Sequence, residues 1–254
     1  MGRKEYDGKR AAVNVVLACV LASVLGLSCS GRDRATAAEG RKSAAAPPVE
    51  STLPSSPTAV VNPTGGPRVL FLGTSLTAGY GLDDPGRDAW PAVLQRMADS
   101  AHVPVRVVNA GLSGETSAGA LRRTDWLLRE RPDAVVIETG ANDGLRGLEP
   151  DSTAANIRSI IRKIRSAHPA AAILLVQMEA PTNLGAAYTK RFHDLFPRVA
   201  AQERVALSPF LLDGVAGITK LNQPDGIHPT DDGARRVAAN FWPRLEALLA
   251  QVKR

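Results

Sequence analysis

The segment DGIHPT, residues 225–230, contains the pair of side chains best suited to acid–base chemistry. Asp225 and His228 are three positions apart, just before the last long amphipathic stretch. At this spacing a carboxylate can hold one imidazole nitrogen and fix the tautomer, while the other nitrogen faces a reaction centre. The same spacing is also common by chance. The other histidines lie within or beside predicted helices and are interpreted as surface or packing residues: His102, His168 and His193.

A candidate nucleophile follows the first predicted strand, VLFLG. Ser75 comes directly after that strand, between the glycines at 73 and 79, so a turn can present it at the edge of a sheet. The alternative is an ordinary turn or helix-cap serine. A phosphate-binding loop is excluded, because no Gly-Lys-Ser/Thr follows. The G-x-S-x-G turn of α/β-hydrolases is also absent.

Two further segments end predicted strands with groups that can donate hydrogen bonds. Asn142 follows the third strand, where a side-chain amide can donate to a developing oxyanion or simply support a turn. Asn109, Gly111 and Gly114 follow the second strand. A glycine there lets the backbone approach a ligand, or it serves a plain strand-to-helix turn.

The elements that must position these residues alternate along the chain from Pro67. The predicted strands are Arg68–Leu72, Val105–Val108, Ala134–Thr139, Ile173–Gln177 and Val205–Leu207. The predicted helices are Ala89–Ala101, Ala118–Arg131, Ser152–Ala167, Ala187–Ala201 and Asp232–Lys253. Continuous apolar strands separated by helices indicate a five-stranded, mostly parallel sheet covered on both faces. We therefore expect a three-layer α/β/α sandwich over residues 67–254, with a site at the carboxyl ends of its strands.

Composition excludes several other classes of function. The net charge of +6 is not concentrated in a basic stripe, and only 4% of residues are aromatic, so nucleic-acid binding is not expected. Both cysteines, Cys19 and Cys29, lie near the amino terminus, which excludes a disulfide framework or a cysteine-built zinc site in the rest of the chain. Four histidines without an HExxH or His-x-His pattern also argue against a metal site. We expect no cofactor and no metal.

The first 66 residues differ from the rest of the chain in composition and in hydrophobic pattern. A cationic stretch precedes the apolar run of residues 11–28, as in a secretory signal, and the run ends at Cys29. We interpret residues 1–28 as a signal peptide of lipoprotein type, with Cys29 as the lipidated residue. An ordinary cleaved signal or an uncleaved anchor are the alternatives. Residues 29–66 are rich in Ala, Ser, Thr, Pro and Gly and are predicted to be a disordered linker. We expect an exported protein, attached to a membrane through its leader or a lipid.

Four blocks of the sequence together resemble the SGNH (GDSL) hydrolase superfamily, nearest to its bacterial arylesterases, acyl-CoA thioesterases I and lysophospholipases L1. The blocks are GTSLTAGYGL (73–82), NAGLSGETSAGALRR (109–123), ETGANDGLRG (138–147) and DGIHPT (225–230). EAPTNLGAAYTKRF (179–192) also resembles that branch. The resemblance covers the chain from Arg68 onward and implies the flavodoxin-like fold of that superfamily.

The resemblance also implies roles for individual residues. Ser75 matches the nucleophile, His228 the base and Asp225 its partner. The Ser75 N–H, Gly111 and Asn142 match the three oxyanion donors. Thr74 stands where the family usually has Asp, so the hydrogen bonding that steadies the nucleophile turn is expected to differ.

These roles imply a serine ester hydrolase acting through an acyl-enzyme on small-molecule or lipid acyl esters or thioesters. Leu184 and Tyr188, at the edge where the site is expected, are predicted to line the substrate groove; packing on the sheet is their alternative role. A carbohydrate O-acetyl esterase and an inactive lipid-tethered binding module remain as alternative functions. The oligomeric state is not predicted.

Overall fold

Five short segments pair in parallel to form the central sheet. A computed structural model describes residues 65–252, and within them the strands are β1 (Arg68–Gly73), β2 (Arg106–Gly111), β3 (Ala134–Ile137), β4 (Ala172–Gln177) and β5 (Ala206–Phe210). The strand order is β2-β1-β3-β4-β5. Every residue of β3 and β4 is buried, as expected for strands covered on both faces. The predicted α/β architecture is confirmed, with all five strands parallel.

Helices cover both faces of the sheet. They are α1 (Ser75–Ala78), α2 (Pro85–Asp88), α3 (Trp90–Ser100), α4 (Ser117–Leu127), α5 (Ala141–Leu145), α6 (Pro150–Ala167), α7 (Ala186–Glu203) and α8 (Asp231–Leu249). Right-handed crossovers place α3 on one face and α4, α6 and α7 on the other. In agreement, α3 packs on α8, whereas α6 packs on both α4 and α7.

The five long helices were predicted with nearly these bounds, whereas three short helices were not predicted. These are α1, α2 and α5, of four or five residues each. An element of about one turn shows no hydrophobic periodicity in a sequence. Two of the three matter for the site, because Ser75 begins α1 and Asn142 lies in α5.

The carboxyl ends of the three adjacent strands β2, β1 and β3 lie level with one another. Gly73 at the end of β1 pairs with Gly111 at the end of β2, and Leu72 pairs with Ile137 at the end of β3. The chain leaves β1 towards β2 and leaves β3 towards β4, which lie on opposite sides of this strand pair. A reversal of this kind opens a crevice between the carboxyl ends of the two strands. The predicted site segments therefore converge at one edge.

Candidate active site

Ser75, His228 and Asp225 form a continuous chain of hydrogen bonds. The Ser75 Oγ lies 2.8 Å from the His228 Nε2, and the His228 Nδ1 lies 2.7 Å from the Asp225 Oδ2. An ionised carboxylate only accepts hydrogen bonds, so Nδ1 carries the ring proton and Nε2 is left to accept from the serine hydroxyl. This is the tautomer in which an imidazole can remove a proton from a serine.

Asp225 also shapes the loop that carries His228. Its second oxygen, Oδ1, accepts from the N–H of Ile227 at 2.9 Å and from the N–H of His228 at 3.0 Å. Partial burial opposes ionisation of this carboxyl, but the hydrogen bonds from His228 and Ile227 lower its pKa overall. Asp225 therefore stays charged down to acidic pH.

Gln223 joins this loop to the nucleophile side of the site. Its side-chain Nε2 donates to the Tyr80 carbonyl at 2.7 Å and to the Pro229 carbonyl at 2.9 Å. Its backbone N–H donates to the His228 carbonyl at 2.7 Å. The Tyr80 ring also lies 4.8 Å from the imidazole, measured between ring centroids. Neither residue was singled out from the sequence.

The turn after β1 is built by close packing around Gly73 and Gly111. A Cβ on Gly73 would lie 2.1 Å from the Thr77 Oγ1, and a Cβ on Gly111 would lie 2.1 Å from the Ala78 nitrogen. Glycine at both positions lets α1 lie directly against the ends of β1 and β2. The Asn109 side chain then donates to the Thr77 carbonyl at 2.8 Å and ties the helix to β2.

Asn142, the expected side-chain oxyanion donor, lies in α5 just after β3, and one of its amide hydrogens is already used. Its Nδ2 donates to the Glu115 carbonyl at 3.0 Å, which orients the amide, and no acceptor among residues 65–252 takes its second hydrogen. Glu115 is held in turn by a buried ion pair with Arg123, whose guanidinium also donates to the Gly73 carbonyl at 3.1 Å. This ion pair connects the Asn142 amide to the strand that leads to Ser75.

The structure contradicts the expectation that Gly111 is an oxyanion donor. The Gly111 N–H donates to the side-chain Oδ1 of Asn109 at 2.9 Å, so it is not free for a substrate. Gly114 lies in the loop after β2, and its N–H donates to no acceptor within residues 65–252. The Gly114 N–H is therefore available to a substrate, unlike that of Gly111. Gly114 has a positive φ of 76°, and its carbonyl accepts from the Arg146 guanidinium at 3.0 Å. It is also next to Glu115, whose carbonyl holds the Asn142 amide.

Leu184 and Tyr188 lie beside the segment that follows α5. The Leu184 Cδ2 would lie 3.8 Å from a Cβ on Gly147, and the Tyr188 hydroxyl donates to the Leu148 carbonyl at 2.7 Å. Both side chains are half-buried, and the Tyr188 ring stacks on the buried Phe192. Their predicted contact with substrate stays a prediction.

The remaining sequence expectations concern metals and the membrane. Among the residues that the structure describes, no three His, Cys, Asp or Glu side chains are grouped so that they could hold a metal ion. Over the same part of the chain, no helix combines the length and apolar character needed to cross a membrane. The leader, Cys29 and almost all of the predicted linker lie outside the described residues.

Comparisons with known proteins agree on one family. Residues 71–236 match the model of the GDSL-like lipase/acylhydrolase family. The chain is 44% identical over 183 residues to esterase TesA of Pseudomonas aeruginosa, covering 71% of this chain and 89% of that protein. It is 37% identical over 182 residues to the thioesterase 1/protease 1/lysophospholipase L1 of Escherichia coli, covering 71% and 84%. The crystal structure of esterase EstA from Pseudoalteromonas sp., inhibited by monoethylphosphonate, superposes with a TM-score of 0.68 at 33% identity, covering 72% of this chain and 98% of that one.

Proposed function

The chain belongs to the GDSL-like lipase/acylhydrolase family, and from that premise we propose that it hydrolyses carboxylic esters and thioesters through an acyl-enzyme on Ser75. The observation that supports this most is the hydrogen-bonded series from the Ser75 hydroxyl through His228 to Asp225. The resemblance to esterase, thioesterase and lysophospholipase relatives gives the same class of reaction.

In the acylation step, the His228 Nε2 removes the Ser75 hydroxyl proton as Oγ attacks the acyl carbonyl. A tetrahedral intermediate forms, and the Asp225 carboxylate stabilises the imidazolium that results. His228 then gives its proton to the leaving alcohol or thiol, and the carbonyl–leaving group bond breaks. The acyl group remains on Ser75 as an ester.

In the deacylation step, water attacks that ester while His228 takes one of its protons. The second tetrahedral intermediate collapses, and the proton returns to the Ser75 oxygen as the carboxylic acid leaves. The negative oxygen of both intermediates is held by the Ser75 N–H, the Gly114 N–H and the free amide hydrogen of Asn142. Gly114 replaces Gly111 in this role because its N–H has no acceptor within the described residues.

Exposed apolar side chains around the triad support an apolar substrate. Five large hydrophobic residues in the segments that follow β1, β2 and β3 and in the loop that carries His228 are 40–55% exposed: Tyr80, Leu112, Leu145, Leu148 and Ile227. Apolar exposure grouped around a site is typical of surfaces that bind ligands. It favours acyl chains or aromatic leaving groups over the polar surface of a polysaccharide.

Two measurements test this function. A fluorophosphonate probe is expected to label the protein covalently, with mass spectrometry locating the adduct on Ser75. Ser75→Ala is expected to abolish labelling and to lower kcat for nitrophenyl esters by about 10⁴-fold or more, with the fold unchanged by circular dichroism. Retention of most esterase activity by Ser75→Ala would refute the assignment.

We also propose export and lipidation for the amino-terminal segment, on the evidence of its sequence. Expressed in bacteria, the full chain is expected to fractionate with membranes and to incorporate a palmitate label. Cys29→Ser should lose the label. A chain that stays unlabelled and is cleaved elsewhere would instead indicate an ordinary secretory signal.

A further inference from the structure

Glu138 is a buried acidic residue directly beneath the nucleophile turn, and it takes no part in the reaction steps above. It is the first residue after β3, and its side chain has no solvent exposure. Its N–H donates to the Leu72 carbonyl at 2.8 Å, which extends the pairing with β1 by one residue beyond Ile137. A carboxyl group in such a place is costly unless it is fully hydrogen-bonded.

Within the part of the chain that the structure describes, the hydrogen-bond partners of the Glu138 side chain come from the nucleophile turn, residues 74–77. The Thr74 N–H donates to Oε2 at 2.7 Å, and the Thr74 hydroxyl donates to Oε1 at 2.9 Å. The Thr77 hydroxyl also donates to Oε2, at 2.9 Å. Thr74 comes one residue before Ser75 and Thr77 two residues after it. The carboxyl group therefore holds the turn on both sides of the nucleophile.

The turn depends on such contacts because α1 is too short to be stable by itself. Four residues make about one helical turn, and an isolated turn costs more in conformational entropy than its hydrogen bonds return. Thr74 is the N-cap residue of α1, yet its side chain makes no cap hydrogen bond and points to Glu138 instead. Held at both its N–H and its hydroxyl, Thr74 sets the orientation of the peptide bond whose N–H belongs to Ser75.

We propose that Glu138 is a positioning residue for Ser75, which directs the Ser75 N–H towards the oxyanion and the Ser75 Oγ towards His228. This inference rests on the function proposed above for Ser75. It also assigns a purpose to Thr74, the position where this chain departs from the family's usual Asp. A threonine can donate to the Glu138 carboxylate, whereas an aspartate would place a second acid against it.

The test uses three variants. Glu138→Gln keeps the shape of the side chain but replaces one accepting oxygen by an NH₂ group. Thr77→Val removes one donor at constant size, and Thr77→Ser restores that donor. The measurements are kcat and KM for nitrophenyl butyrate, the rate of fluorophosphonate labelling, and the melting temperature.

Glu138→Gln is expected to lower kcat and the labelling rate by about 10- to 100-fold, with KM within about 2-fold of the native value, because small misplacements of a nucleophile are costly. Thr77→Val should lower kcat by about 3- to 10-fold through the loss of one hydrogen bond, and Thr77→Ser should recover most of it.

The outcomes separate the two proposals. If native Ser75 is labelled and both Glu138→Gln and Thr77→Val keep native kcat and labelling rates, the positioning role is wrong and Glu138 is structural only. If Glu138→Gln does not fold, the Thr77→Val and Thr77→Ser pair decides by the same criterion. If native Ser75 is not labelled and ester hydrolysis is unaffected by Ser75→Ala, the proposed function itself fails, and the positioning role fails with it.

Discussion

Replacing Asp225 separates two tasks that its carboxylate performs. One oxygen, Oδ2, holds the His228 Nδ1 at 2.7 Å, while the other, Oδ1, accepts from the N–H groups of Ile227 and His228. Asp225→Asn retains an oxygen for the two backbone donors but presents an NH₂ group to the imidazole. Asp225→Ala removes both interactions. We expect the two variants to differ in stability but to share a severe loss of activity.

The expected loss of activity follows from the imidazole tautomer. An amide N–H facing Nδ1 makes that nitrogen an acceptor, so the ring proton moves to Nε2. Nε2 can then no longer accept from the Ser75 hydroxyl, 2.8 Å away. In a serine–histidine–aspartate triad this change lowers kcat by about 10⁴-fold, equivalent to about 5.4 kcal/mol.

The expected loss of stability follows from the backbone hydrogen bonds. Asp225→Ala leaves two N–H groups without their acceptor, in a loop where the Asp225 side chain is 39% exposed. Each such bond contributes about 0.5–1.5 kcal/mol, and water replaces part of it at this exposure. We therefore expect the free energy of unfolding of Asp225→Ala to be about 1–2 kcal/mol lower than that of the native protein. The free energy of unfolding of Asp225→Asn should be close to the native value.

Steady-state hydrolysis of nitrophenyl butyrate gives kcat, and urea unfolding followed by tryptophan fluorescence gives the free energy of unfolding. Ser75→Ala serves as the matched control for background hydrolysis. If Asp225→Asn keeps more than about a tenth of native kcat, the carboxylate does not set the tautomer and the reasoning above is wrong. Equal stability of the two variants would show that the backbone hydrogen bonds do not hold the loop.

Four further predictions concern other parts of the site. Asn142→Ala should lower kcat by about 10²–10³-fold with little change in KM, because the oxyanion exists only in the transition state; an effect on KM alone would make Asn142 a substrate-binding residue. Thr74→Ala should cost about tenfold or less in kcat/KM, since its N–H still donates to Glu138, and a loss as large as that of Ser75→Ala would contradict this. Burial raises the pKa of Glu138 from 4.5 to about 7, although the hydrogen bonds from Thr74 and Thr77 oppose this shift. The folded protein therefore holds a proton on Glu138 more tightly than the unfolded chain does, and the resulting stability is lost as pH rises from 4.5 through 7. The unfolding free energy of the native protein should then fall by about 3 kcal/mol relative to Glu138→Gln over that range, and a flat difference in urea titrations would disprove the shift. If Leu184 lines the acyl groove, native kcat/KM should rise by up to about fourfold per methylene and Leu184→Ala should shorten the preferred chain; best activity on acetyl esters with an unchanged profile would favour the carbohydrate esterase alternative.

Much of the architecture was predictable because long buried elements show their periodicity in the sequence. The strands β1, β3 and β4 are buried apolar runs, and α3, α4, α6, α7 and α8 follow amphipathic stretches. Ser75 and Asn142 could be singled out because each follows such a run. Their own helices, α1 and α5, were missed because four or five residues carry no periodic signal.

The choice between two glycines could not be made from sequence. Gly111 ends β2 and Gly114 lies three residues after it, and both residues can bring a backbone N–H close to a ligand. What separates them is a contact two residues away in the chain: the Asn109 side chain folds back and accepts from the Gly111 N–H. The same asparagine donates to the Thr77 carbonyl, so its amide is committed to joining β2 and α1. Gly111 is needed for that packing, and the free donor lies three residues further on.

The groups that orient the reactive residues are harder to find than the reactive residues themselves. Gln223 contacts the Tyr80 carbonyl across 143 positions of chain, and nothing in its type or spacing predicts that contact. Glu138 is different, because it ends a run of buried strand residues and carries a charge that the interior does not tolerate without partners. The threonines that satisfy it, Thr74 and Thr77, flank the candidate nucleophile one strand away in the sheet. Sequence reading can therefore look for an acidic residue at the end of one buried strand and for hydroxyl residues on both sides of a serine at the end of the neighbouring strand. Such a pattern indicates how the serine is held in place, and it does not indicate how the serine reacts.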